Sequence, residues 1–466
     1  MSMQATEKAA KPDLLRELNV WHATAIVAGT IIGSGIFRVS GVMMKDAGSP
    51  WLVYLVWIVG GLLSFFGAMT YAELGAMRPW AGGEYVYVRD GYGPLPGFLY
   101  AWTWFLIAKP ASIAAVTTAI VDVLSTFPRL DFLPQAFFTL HVTSTNSISV
   151  TYGHLVAIAA TVFISGLNYL GVRNAGNFQL LLTALKVALI GAIIVIGFSA
   201  ESGTWSNFGT KFLGAKGGMA GFMAALVAAL WAYDGWNDLN MVSGEIRNPE
   251  RNIPVALIAG LTVVAVLYMG MNAAVQYAMP ASLVAAAAVP ASAATQISIG
   301  ILGAALVALG MVLSMLVTLN GTIMSGGRIP FAVARDGYFF TTLARVHPRF
   351  HTPSAAILVQ ALMAIVLVVI GGAFKDLFSL AIFAEWLFYM IAASTIFVFR
   401  IREPQAPRSY RTWGYPVVPA LFILAATVLL YYTFTDNIRN SIAGSLVILA
   451  GIPVYWYFAR RKRRES

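Results

Sequence analysis

The 466-residue chain contains no cysteine. That excludes disulfides, thiolate metal sites, thiol nucleophiles and any sulfur link to a partner subunit. Charge is scarce as well, at 11% of residues against about 25% in soluble globular proteins. Such a chain is not an ordinary soluble enzyme, a disordered protein or a nucleic-acid binder. The five histidines, His22, His141, His154, His347 and His351, fall near helix ends or in loops without metal-ligand spacing. No glycine-rich phosphate loop and no channel filter sequence appears. No metal and no cofactor is therefore expected, and an intramembrane enzyme or a channel is the weaker reading.

What is present is apolar length. Apolar residues make up 59% of the chain and the mean hydropathy is +0.75. A membrane crossing takes about 20 mostly apolar residues. Runs separated by charged or Gly/Pro-rich breaks predict twelve spans, at 19–46, 50–77, 94–126, 150–171, 174–199, 216–246, 252–278, 293–326, 353–372, 376–400, 416–435 and 441–459. The polar stretches 78–93 and 328–352 are too short to cross and read as interfacial loop helices. The first twenty residues are polar, with no apolar run before a small-residue cleavage site, so the first span itself is expected to direct insertion.

The positive charge reads as orientation. The net charge is +10, from 30 Lys and Arg. With the N-terminus inside, 21 of them fall in inner segments, including the run Arg460–Arg464, and seven in outer segments; Lys109 and Lys186 lie within spans. This bias predicts a cytoplasmic location for both termini. The basic surplus then serves topology and lipid contact, not nucleic acid.

Two spans are interrupted. The first contains Gly29-Thr30-Ile31-Ile32-Gly33-Ser34-Gly35-Ile36-Phe37. Glycine in a helix interior costs about 1 kcal/mol relative to alanine, so three in seven residues predict unwinding. A Gly-x-x-x-Gly packing face at Gly29 and Gly33 is the bland alternative. The sixth span breaks at Trp231-Ala232-Tyr233-Asp234-Gly235-Trp236-Asn237. An aspartate at that depth is costly unless it meets water, a partner or a free helix end; capping the second half-helix is its bland role. Spans one and six are corresponding members of two five-span halves. Paired breaks in corresponding positions point to the central site of a secondary transporter. Unwound backbone offers an N-terminal end to an anion and a C-terminal end to a cation, which suits a zwitterion such as an α-amino acid.

Gly33-Ser34-Gly35-Ile36-Phe37, Ala232-Tyr233-Asp234-Gly235-Trp236-Asn237 and the following Gly244-Glu245-Ile246-Arg247-Asn248-Pro249-Glu250-Arg251-Asn252-Ile253-Pro254 resemble the amino acid–polyamine–organocation (APC) superfamily. The last segment is most similar to its L-amino-acid transporter branch, and the likeness runs along nearly the whole chain. The resemblance implies an all-α membrane protein of twelve transmembrane helices with the LeuT-type fold. Its 5+5 inverted repeat would occupy 19–199 and 216–400, with two extra C-terminal helices at 416–459 and cytoplasmic tails at 1–18 and 460–466. It implies that the substrate carboxylate meets backbone N–H groups of Ser34, Gly35 and Ile36 beside Gly33, with the Ser34 hydroxyl helping. The ammonium would meet carbonyls of Ile31, Trp231 and Asp234 around Ala232. Trp231 would be the aromatic gate, and Asn237 would support the unwound segment. Asp238 stands where relatives can carry a larger, often aromatic residue.

Lys186 lies 13 residues after Arg173, hence about 20 Å along the helix from its inner end, too deep for easy snorkelling. In the family a lysine at this point of span five stands in for a sodium ion, bonded to the unwound part of span one near Gly33. The expectation is sodium-independent exchange of neutral L-amino acids across the plasma membrane of a prokaryote, with Lys186 coupling occupancy to closure. Proton-coupled import of amino acids, including cationic ones or amines, is the alternative. The missing cysteine rules out a disulfide-linked accessory subunit and points to a chain that works alone in the bilayer. Thr318, Asn320 and Glu385 are candidates for the side-chain pocket; Lys109 is expected to be structural. Glu73 and Glu245, the latter with Arg247, Glu250 and Arg251, read either as surface ion pairs or as an inner gate.

Overall fold

The computed structural model describes residues 13–141, 147–370, 373–436 and 438–465. Most of the expected N-terminal tail, with Lys8 and Lys11, lies outside them, as does Ser466 at the other end.

The described chain is helical apart from one antiparallel hairpin, Ala136–His141 with Ser147–Thr151, which joins spans three and four. Nine of the described helices are long and apolar enough to cross a membrane, and a tenth span is the bent pair Val20–Ile31 and Gly35–Ala47. Two shorter apolar helices, Gly218–Ala232 and Ser354–Ile370, occupy the sixth and ninth positions. Each of the twelve expected spans thus has its helix. Local chemistry starts several of them. Asn19 and His22 form a reciprocal cap at the first, and Pro50, Pro94 and Pro249 open the second, third and seventh, where a missing N–H costs nothing. The two polar stretches form the expected loop helices, Glu84–Tyr92 and Arg328–Arg335.

Two boundaries differ from the sequence reading. The eighth span is not continuous over 293–326: Pro290–Ile299 is a separate helix, and the span itself is Ile301–Gly326. Beyond its break, the sixth span continues only as the four-residue helix Asp238–Met241 and a tight turn at Ser243–Glu245. Polar Asn237, Asp238 and Asn240 are buried there, and side-chain bonds take the place of a longer apolar helix.

Span three carries a further irregularity. Residues Trp104–Ala108 form a π-helical turn between Pro94–Thr103 and Lys109–Leu124. Pro110 cannot donate, and its ring would crowd the carbonyl four residues back. The wider turn absorbs this, with the Lys109 N–H bonding to the carbonyl of Trp104. Such turns occur mostly singly and often at functional sites.

Candidate functional site

The first span bends by 41° at Ile32–Ser34. The Gly33 N–H turns back to the carbonyl of Ile31 at 2.8 Å, and Gly35–Ala47 starts a new helix. Its first N–H groups, at Gly35 and Ile36, have no partner within the helix. Gly29 plays a different part. A Cβ there would come within 2.5 Å of Gln179 and Thr183, so this glycine admits span five against span one. Gly33 has only Thr318 near its Cβ direction, at 3.8 Å, and belongs to the break. The two glycines therefore do separate jobs, one packing and one unwinding.

In the sixth span the helix ends at Ala232. The Tyr233 N–H still reaches Ala229, and the Asp234 N–H reaches the carbonyl of Trp231 at 3.2 Å. Gly235 then takes φ +109°, a conformation side chains rarely adopt, and Asp238 begins the short inner helix. A Cβ on Gly235 would also press on Thr30 at 3.1 Å, so the two breaks touch. Tyr268 of span seven ties them together: its hydroxyl lies 2.7 Å from the Ala232 carbonyl and 3.2 Å from that of Ile31. Tyr233 and Trp57 pack against its ring at centroid distances of 5.1 and 5.0 Å.

Between the breaks lies a cavity of about 340 Å³, within the size range of small-molecule pockets. Ile31, Gly33, Ser34 and Gly35 line it from the first span, and Trp231, Ala232, Asp234, Asn237 and Asp238 from the sixth. The structure therefore brings together nearly every residue singled out in the sequence. Ile36 and Lys186 do not line the cavity: the Ile36 side chain is buried in the first turn of the half-helix Gly35–Ala47, and Lys186 lies behind the break. Lys109 and Ser112 of span three, Thr318 and Thr322 of span eight, and Glu385 and Tyr389 of span ten also line the cavity. Asn320 is not part of it. It bonds Gln179 at 2.7 Å and Asn168 at 2.9 Å, joining spans four, five and eight.

Lys186 is fully buried. Its ammonium donates to the carbonyls of Gly29 at 2.8 Å, Ile32 at 2.6 Å and Ser314 at 3.4 Å. An ammonium has three donors and no acceptor, so this cage satisfies it completely without a carboxylate. Thr318 points its hydroxyl at carbonyls of the same stretch, at 3.3 Å from Gly29 and Thr30. The unwound part of span one is thus held by a cation and a hydroxyl from two neighbouring spans.

The other buried lysine is paired. Lys109 forms an ion pair with Asp238, so Asp238 anchors the floor of the site and not its outer rim. Asn237 donates its amide to Glu84 at 2.7 Å, and Tyr100 reaches the other oxygen of that carboxylate at 3.1 Å. The loop helix Glu84–Tyr92 is thereby bonded to the inner side of the broken sixth span.

The end of the molecule nearest the N-terminus is sealed. Glu245 and Arg328, both fully buried, form a two-pronged pair at 2.7 and 2.9 Å. Leu18 bonds the backbone at Glu245 and Arg247, and Arg16 donates to the Ile246 carbonyl at 3.0 Å. Arg247 binds the Arg16 carbonyl, while Glu250 and Arg251 stay exposed. Glu245 therefore belongs to a buried seal whose partner the sequence did not name. Glu73 likewise finds Arg400 at 2.8 Å and Arg408 at 3.3 Å. On the opposite side of the cavity Trp231 is 44% exposed and Arg38 is exposed, so the cavity opens that way.

A helical chain with two spans broken around a central cavity, sealed at one end and open at the other, has the architecture of a membrane transporter. The amino acid permease family model matches residues 18–458. The serine/threonine exchanger SteT of Bacillus subtilis (strain 168) is 31% identical over 454 residues, covering 96% of this chain and 98% of that protein. The human b(0,+)-type amino acid transporter 1 is 30% identical over 452 residues, covering 96% of this chain and 89% of that protein. The human cystine/glutamate transporter is 28% identical over 449 residues, at 96% and 86% coverage. The chain belongs to the amino acid permease family: it is an amino acid transporter of the APC superfamily, in its L-amino-acid transporter branch, and not an enzyme.

Proposed function

We propose that this protein is a sodium-independent exchanger of L-α-amino acids that binds its substrate between the two broken spans. The observation that carries this reading is the Lys186 ammonium on the Gly29 and Ile32 carbonyls. A fixed cation already occupies the place where the unwound backbone would otherwise gather a metal ion. The substrate carboxylate meets the free N–H groups at Ser34, Gly35 and Ile36, where the outer half-helix presents its positive end. The ammonium meets the carbonyl ends at Ile31, Trp231 and Asp234. Trp231 closes over the occupied site, Asn237 holds the inner wall, and Lys186 links occupancy to the angle of span one. Residues 19–199 and 216–400 act as the two halves of the inverted repeat.

Exchange is supported by the named activity of SteT, which shares almost its full length with this chain. The expectation of neutral substrates comes from the branch alone, whereas the lining residues speak to side-chain charge, as argued below. We place the chain in the plasma membrane with both termini in the cytoplasm, working as a single polypeptide.

Counterflow in proteoliposomes tests the proposal. Internal unlabelled amino acid is expected to accelerate entry of the labelled one, and replacing Na⁺ by choline is expected to leave the rate unchanged. Uptake that collapses in choline overturns sodium independence. Uptake indifferent to internal substrate but driven by an inward proton gradient replaces exchange with proton coupling.

A further inference from the structure

Charge in the cavity does not balance. Its lining carries two cations, Arg38 and Lys109, and three carboxylates, Asp234, Asp238 and Glu385. Lys109 and Asp238 neutralise one another. Among the described residues Asp234 and Glu385 have no ion-pair partner, and Arg38 stands exposed at the mouth. A zwitterionic guest leaves one negative charge over; a guest with a cationic side chain removes it.

Hydrogen bonding makes the same point independently. The buried Tyr389 hydroxyl lies 2.9 Å from Glu385 Oε1, 3.1 Å from Asp234 Oδ1 and 3.2 Å from Asn237 Oδ1. A hydroxyl carries one hydrogen. Asn237 does not supply another here, because it turns its carbonyl oxygen to Tyr389 and its amide group toward Glu84. Three acceptors thus converge on one donor, in a wall of the cavity where each unmet acceptor is costly. A guest that brings donors into this space meets them, and an ammonium or guanidinium brings several. Ser112, Ala115 and Ala119 of span three are small and face the same space, leaving room for a long side chain.

We propose that Glu385, with Asp234 and Tyr389, forms the side-chain subsite of this cavity and selects amino acids with cationic side chains. This inference rests on the reading of the cavity as the amino acid site and specifies its substrate class. The α-carboxylate and α-ammonium sit at the breaks, and the side-chain cation extends toward span ten. Glu385 decides the preference, because Asp234 also serves the break through its backbone and Asp238 is spent on Lys109.

The test uses pairs of competitors that differ in charge at nearly constant size, arginine against citrulline and lysine against norleucine, in proteoliposome counterflow with the intact protein. The charged member of each pair is expected to compete at about tenfold lower concentration, the factor of one charge-assisted hydrogen bond. In Glu385→Gln the ratio within each pair is expected to fall to about threefold or less on the same scale, while Glu385→Asp retains the preference. Equal competition by arginine and citrulline in the native protein, or a ratio that survives Glu385→Gln, overturns the proposal. If Glu385→Gln does not elute as a folded protein, Asp234→Asn reads the same ratio, and the native pairs decide on their own. Absence of counterflow with every amino acid would refute the exchange reading itself. Counterflow indifferent to side-chain charge would refute only the subsite.

Discussion

Among the described residues two lysines are buried, and they are held in opposite ways. Lys109 in span three meets a carboxylate, Asp238. Lys186 in span five meets three backbone carbonyls, two of them from the broken stretch of span one. The first arrangement is electrically closed and depends on two side chains. The second has no carboxylate partner, and its two shorter bonds go to the stretch where a helix is interrupted. A lysine of the first kind fastens two spans; one of the second kind responds to the shape of the backbone it holds. Burial alone does not tell them apart, since both are nearly inaccessible.

The strongest challenge to that distinction is to remove each cation in turn. Lys186→Gln is expected to reduce counterflow to the level of empty liposomes while the protein still elutes as folded, because the carbonyls of the break lose the charged donor that holds them. If this variant exchanges normally, Lys186 is a fastener like Lys109. Next in size is the Glu245–Arg328 seal. Breaking a buried pair by removing one partner costs about 3–5 kcal/mol, so Arg328→Met should lower the thermal midpoint markedly and open the sealed end. A cysteine placed at Thr322, unique in a chain that has none, should then react faster with an aqueous thiol reagent added from that side.

The Lys109 pair sharpens the comparison through a double replacement. Lys109→Met alone leaves a buried carboxylate and should destabilise by about 3–5 kcal/mol, whereas Lys109→Met with Asp238→Leu should recover most of the loss. No second substitution is expected to rescue Lys186→Gln, because its partners are main-chain atoms. Failure of the double variant to recover stability would show that Lys109 also serves the cavity. The smallest effect belongs to Glu250→Gln on the exposed inner surface, within about 0.5 kcal/mol of the native midpoint.

The parts of the molecule that were legible in the sequence share one property: their signal is local. Twelve apolar runs, glycines crowded into Gly29–Gly35, an aspartate at Asp234 and a lysine 13 residues into span five each stand out against the composition a membrane requires. Lys186 is the strongest case, since depth along one helix sufficed to mark it. What stayed hidden is pairing across the fold. Arg328 reaches Glu245 over 83 residues, Lys109 reaches Asp238 over 129, and Tyr389 reaches Asp234 over 155. Nothing in the spacing of a polar residue on a helix says which neighbour it will face. Asn320 illustrates the error this invites. A candidate for the side-chain pocket, it instead faces away from the cavity and binds Gln179 and Asn168. Tyr268, an ordinary aromatic in an apolar run, gave no sign that it would join the two breaks.

That tyrosine sets a rule for how the molecule can move. Its hydroxyl has one hydrogen and stands before two carbonyls, Ala232 at 2.7 Å and Ile31 at 3.2 Å, which belong to the sixth and the first span. The hydrogen cannot serve both fully. A tilt of span one that draws Ile31 closer takes the bond from the sixth span, and the reverse tilt returns it. One hydrogen shared between the two breaks makes the contact sensitive to their spacing, and Tyr268→Phe, which keeps the ring and removes the hydrogen, is expected to loosen the tie between spans one and six.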